Sequence, residues 1–131
     1  EAMLLADEAH AAFRAHRDFE AVARDPILQV GLACESLKTT TRLMHIIAWL
    51  LHRRAMFAGD PGAGPEDSAA HIGAPVPADH ALCAHFDDNL QRIVAASERL
   101  FDRIARIEAG WTADEAAQPV QALLAQLEAR L

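Results

Sequence analysis

Apolar side chains return at steps of three and four along the first two dozen residues. Leu5, Ala9, Ala12, Phe13, His16 and Val22 or Ala23 share one side, while Glu8, Arg14, Arg17 and Glu20 hold the other. That spacing predicts an amphipathic helix over about Ala2–Arg24. Asp25 followed by Pro26 is a restart signal, because the carboxylate can accept from the unpaired amides of a new helix and proline is tolerated where no donor is needed. A second helix is expected over about Ile27–Phe57, ending near Gly59. Its core side is read as Ala33, Leu37, Thr41, Met44, Ile47, Ala48, Leu51 and Ala55. Leu43, Ile46, Trp49 and Leu50 fall elsewhere on the circumference, so this helix is expected to be covered on more than one side, as the bundle centre and part of a self-association surface.

The stretch Gly59–Asp79 holds four of the six glycines and four of the six prolines and predicts a long loop, either a functional segment or a surface insertion. A third helix follows over about Pro77–Ala109. Phe86, Leu90, Ile93, Ser97, Leu100, Ile104 and Ile107 form its seam, widened by Val94 and Phe101. Thr112 to Glu115 reads as a capping box with Trp111 as its staple, predicting a short fourth helix bent near Pro119. That helix would carry a stripe of Val120, Leu123, Leu124, Leu127 and Leu131. The expected fold is all-α: a three-helix up-down-up bundle with a short C-terminal helix and a long loop between the second and third helices. At 131 residues it should form one domain, with the bundle over 1–109, the loop at 59–79 and a helical appendage at 111–131.

Charge and composition narrow the chemistry. The net charge of −7, with twelve dispersed Lys and Arg, disfavours nucleic acid and therefore a DNA-associated transcription factor. The longest apolar run, Leu43–Leu51, is interrupted by His45 and too short for a membrane span. Only two cysteines occur, Cys34 and Cys83, each within a helical pattern, so no disulfide framework is expected and a cytoplasmic location is the natural reading. No nucleophile elbow, phosphate loop or zinc-protease motif is found, so no catalytic residues and no enzymatic activity are expected.

Two polar features remain. Seven histidines invite a metal or small-ligand reading, kept as the alternative function. The spacings of His10 and His16, His45 and His52, and His80 and His85 do not set two imidazoles over one helix face, and neither long helix has Glu-x-x-His, so no metal site or cofactor is expected. The second helix carries a polar stripe of Glu35, Lys38, Arg42, His45 and His52, with Trp49 in line and Arg54 beyond it. Trp and Arg on one face are typical interface anchors, so these seven residues are the candidate partner-binding site. Read plainly, the same stripe is a solvated face with ordinary intrahelical ion pairs and Trp49 is core.

The run Glu35-Ser36-Leu37-Lys38-Thr39-Thr40-Thr41-Arg42-Leu43-Met44, continuing through Ala48-Trp49-Leu50-Leu51 to Arg54-Ala55, resembles the signature helix of the RcdA family, the alphaproteobacterial regulators of CtrA degradation. Glu1–Ala9 and Arg99–Ile104 resemble the family as well, while the loop Gly59–Asp79 and the tail from Trp111 depart from it. The resemblance implies a three-helix bundle, commonly a homodimer, acting as a noncatalytic adaptor that helps the ClpXP protease degrade a cell-cycle response regulator. Its motif falls on Glu35, Ser36, Thr40, Thr41, Arg42, Leu43, Met44, Trp49, Leu50, Leu51 and Arg54.

Overall fold

The computed structural model describes residues 1–17, 25–65 and 67–130, and for 17 and 112–123 the backbone alone. All regular structure among them is helical: α1 (Ala2–Arg17), α2 (Pro26–Phe57), α3 (His80–Cys83) and α4 (Asp88–Arg130), with a 3-10 turn at Ser68–Ala70. The expected extension of the first helix to Arg24, with Glu20 and Val22 or Ala23, lies outside the described residues. So do Leu131 and the side chains of Val120 and Leu123.

α2 starts where Asp25 and Pro26 predict. The Asp25 carboxylate accepts the Ile27 amide at 3.0 Å, and Pro26 takes the first helical turn. The helix closes on Gly59, whose φ of 78° lets its amide reach back to the Met56 carbonyl while the Asp60 amide reaches that of Ala55.

The expected seams of α1 and α4 form the core. Ala9, Phe13 and His16 are buried from α1. From the third-helix seam Phe86, Leu90, Ile93, Ser97, Leu100 and Ile104 are buried with Val94 and Phe101, and Ile107 alone faces outward. α2 contributes Leu32, Leu43, Ile46 and Trp49. Most of its expected core side is turned outward: Ala33, Leu37, Met44, Ala48 and Leu51 are exposed, Thr41 and Ala55 are half-buried, and Ile47 packs against the core.

Helix directions differ from the up-down-up expectation. Glu1 lies 3.7 Å from Arg103, Glu8 3.2 Å from Arg92, and His16 3.3 Å from Asp87, so α1 and α4 are antiparallel. Arg42 bonds Ser97 and Trp49 bonds Glu108, so α2 and α4 run the same way. Three long helices do pack on one another, but in an up-down-down order. The loop makes this possible by returning along α2 from its end to its beginning.

The third and fourth expected helices are also redrawn. A break at Ala84–Asp87 separates α3 from α4. Two aspartates set the starts: Asp79 accepts the Leu82 amide at 3.1 Å and Asp87 the Leu90 amide at 2.7 Å. At the other end α4 runs through Thr112–Glu115 and Pro119 to Arg130 without a new start. Gly110 costs a helix interior only about 1 kcal/mol relative to alanine, and Trp111, stacked on Trp49, ties the helix to the bundle at that point. No helix among the described residues is long and apolar enough to cross a membrane.

Candidate functional site

An extended segment without a sheet partner must find hydrogen bonds for its amides and carbonyls elsewhere. The return strap, Ala58–Asp79, finds many of them in side chains of α2 and α4. Arg53 donates to the Ala70 carbonyl at 3.1 Å, and Arg42 donates to the Val76 carbonyl at 2.8 Å while its other terminal nitrogen bonds Ser97 Oγ at 2.8 Å. The carboxylates do the converse. Glu108 accepts the Ile72 amide at 3.1 Å, Glu98 the Ala78 amide at 3.4 Å, and Glu35 the Asp79 amide at 3.1 Å. His52 Nε2 sits 2.8 Å from the Gly64 carbonyl. Guanidinium groups thus hold strap carbonyls and carboxylates hold strap amides, one rung after another along α2. Ala70 and Ile72 are buried under this clasp and anchor an otherwise largely exposed strap to the bundle.

This arrangement decides the fate of the polar stripe. Glu35 (0% exposed), Arg42 (3%) and Trp49 (2%) are interior, committed to their own chain. Lys38 is half-buried and pairs with Glu35 at 3.0 Å, and His52 is half-buried against the strap. His45 is exposed beside Ser68, His71 and Gly73, and Arg54 is exposed on its own. Five of the seven candidate residues are therefore brought together, but beneath the strap, and Glu35, Arg42 and Trp49 are corrected from docking residues to clasp residues. The reason is physical: polar side chains at helical spacing serve a backbone that needs partners as readily as they serve water.

Arg53, Glu98 and Glu108, not singled out in the sequence, complete the clasp beside an aromatic cluster. The rings of Trp49 and Trp111 stack at 5.5 Å, Phe57 meets Trp111 edge-on at 5.7 Å, and the Arg53 guanidinium lies 5.2 Å from both Trp rings. Trp49 and Arg53 stand one helical turn apart, a spacing that signals such a cation–π pair. Glu98 and Glu108 carry no motif; the strap's path, and for Glu108 also the Trp49 indole, gives them their role.

Electrostatics follow burial. Desolvation, above all, lowers the Arg42 pKa, opposed by Glu98 and Glu35, and the hydrogen bond to Glu35 is the main cause that raises Lys38. Burial first, then the charge and hydrogen bond of Glu35, push the Cys83 thiol up to about 11. In a Cys34→Ala variant, Ellman's reagent at pH 8 should therefore find no thiol in the folded protein and one after urea. The raised pKa also favours folding while both states are protonated. As pH climbs from about 9 to about 11 the unfolded thiol ionises first, and stability should fall by about 2 kcal/mol. Urea melts at pH 8 and 10.5 would show this slope, absent in Cys83→Ala.

The histidines are drawn to carboxylates: His80 to Glu98 at 2.7 Å, His16 to Asp87 at 3.3 Å and His71 to Glu108 at 3.5 Å. Among the described residues no three His, Cys, Asp or Glu are grouped to hold a metal ion.

With the polar stripe turned inward, the face α2 shows to solvent is apolar. Val30, Leu37, Met44 and Leu51 are 65, 68, 63 and 54% exposed. Ala33, Cys34, Thr40 and Ala48 lie exposed among them, with His45 and Arg54 exposed at the edges of this face.

The fold and this face define an all-helical protein whose distinguishing surface is one apolar helix side. The chain belongs to the family described as a protein of unknown function, DUF1465, whose model matches residues 1–131. No curated protein and no solved structure matches it.

Proposed function

We propose that the protein is a noncatalytic adaptor of the RcdA type, which binds a response-regulator client and the ClpXP protease and promotes the client's degradation, working as a homodimer in the cytoplasm. The observation that carries this reading is the bare α2 face. Contiguous apolar surface of this kind, beside a core already closed by α1, α4 and the strap, marks a protein-binding surface. Family membership over the whole chain and the RcdA-like run from Glu35 to Ala55 support the choice of adaptor over other binding roles. In this reading Lys38, His45 and Arg54 remain available at the rim, whereas Glu35, Arg42, Trp49 and His52 act indirectly by holding the strap.

The test is degradation of fluorescently labelled CtrA by purified ClpXP, with and without the protein, alongside capture of ClpX on immobilised protein. A several-fold faster loss of fluorescence together with ClpX capture is expected. No acceleration and no capture would overturn the adaptor reading.

A further inference from the structure

Between α2 and the strap lie two cavities that share a wall. The smaller, about 20 Å³, is lined by Lys38, Thr41, Arg42 and His45 from α2 and by Ala74 and Val76 from the strap. The larger, about 400 Å³, shares His45 and is otherwise lined by Ala48 and by strap residues including Ser68, His71 and Gly73. The first has room for about one water-sized group. The second falls within the roughly 300–1,000 Å³ of sites that hold small molecules.

The chemistry of these walls is one-sided. Arg42 is buried, its two terminal nitrogens bond only the neutral Ser97 hydroxyl and Val76 carbonyl, and its Nε has no partner in the chain. Glu98 and Glu35 act on it only at longer range. A buried cation without a paired anion is costly. Among the described residues no carboxylate lines either cavity. Glu35, Glu98 and Glu108 turn instead to Lys38, His80 and His71 and to strap amides. What lines the gap is therefore a guanidinium, an ammonium, two imidazoles and the hydroxyls of Thr41 and Ser68.

We infer that this gap binds a small molecule carrying an oxyanion, a carboxylate or a phosphate group. Its charged end sits against Arg42, Lys38 and His45, and its body occupies the cleft between Ala48 and the Ser68–Gly73 segment. The inference is independent of the adaptor reading. One anionic oxygen fills the smaller cavity and gives Arg42 the counter-ion that its own chain withholds. Hydrogen bonds from cations to an oxyanion are about twice as strong as neutral ones, which favours this occupant over water. Because α2 supplies one wall and the strap the other, the ligand adds a rung to the clasp.

Inorganic phosphate and acetate, each compared with sodium chloride at the same ionic strength, are the probes, read by amide chemical shifts of the isotope-labelled protein. Saturable shifts at Thr41, His45 and Ala74 are expected for at least one oxyanion, with a Kd on the order of 1 mM for so small a fragment, and none for chloride. The tighter of the two identifies the headgroup. His45→Ala and Thr41→Val, neither of which alters a hydrogen bond to the strap, should each weaken binding about tenfold with an unchanged helical circular dichroism spectrum. Arg54→Ala, which lines neither cavity, should leave binding unchanged. No saturable shift with either oxyanion would leave the cavities to water and overturn the site. Equal shifts with chloride would overturn its preference for an oxyanion, and equal weakening by Arg54→Ala would reduce it to diffuse attraction. Binding as expected in a protein that fails to accelerate ClpXP would leave the site intact and remove only the adaptor reading.

Discussion

Replacing Trp49 by alanine is expected to cost about 3–5 kcal/mol of stability, the range for emptying a buried aromatic site. The residue is almost wholly buried, stacks on Trp111 and lies under the Arg53 guanidinium. Its Nε1 donates to Glu108 Oε1 at 3.2 Å, the same oxygen that accepts the Ile72 amide. Truncation therefore opens a cavity, removes one partner of a half-buried carboxylate and strips one wall from a buried cation. Trp49→Phe keeps most of the packing and loses only the hydrogen bond, so it should cost about 1–3 kcal/mol. Urea unfolding of both variants makes the comparison. Equal losses would show that the bond to Glu108, not the packing, dominates.

The second large effect belongs to Arg42→Ala, at about 2–4 kcal/mol, from two charge-assisted hydrogen bonds and a buried aliphatic stem. Desolvation already disfavours this guanidinium, so Arg42→Met, which keeps bulk without charge, should cost less than alanine. Ser97 still donates to the Val94 carbonyl in both variants, and the Val76 carbonyl can turn to water because Val76 is exposed. Lys38→Ala takes one partner from the buried Glu35 carboxylate, which keeps the Asp79 amide, and should cost about 1–3 kcal/mol. Hydrogen exchange at the Ala78 amide, which Glu98 holds, should quicken more in Arg42→Ala than in Lys38→Ala. Similar exchange in the two would remove Arg42 from the clasp. For the same reason, charge reversal at Arg42 is a probe of folding and not of docking; Leu37 and Met44 are the positions that probe docking.

How far the sequence reveals this molecule varies by element. The start of α2 is legible at Asp25–Pro26 and its end at Gly59, because capping and left-handed glycine are local effects. The α4 seam is legible because one face of that helix has a single apolar neighbour set. α2 defeats the same reasoning. It has apolar residues at helical spacing on two sides, and hydrophobic periodicity alone cannot say which side meets the core. What settles it is the strap, whose amides and carbonyls need Glu35, Arg42 and Arg53, and no local pattern in Gly59–Asp79 announces where that backbone goes. Five of the seven candidate residues lie together beneath the strap and meet their own chain, whereas His45 and Arg54 stay exposed. The capping box at Thr112 shows the opposite failure, a valid local signal overridden by the continuous helix that Trp111 anchors.

The strap's length sets the topology of the whole bundle. About 26 helical residues separate Gly31, against which Leu82 packs, from the end of α2 at Phe57. At 1.5 Å each they cover roughly 40 Å. An extended chain needs about 12 residues to travel back that far at ~3.3 Å per residue, and about 22 are present between Phe57 and His80. Deletions in the strap are therefore tolerable only down to that minimum. Below it α4 can no longer begin beside the start of α2, and the only way to bury its seam is to reverse direction, giving a different connectivity from nearly the same helices. About ten strap residues beyond that minimum, more than any core residue, separate this fold from its up-down-up alternative.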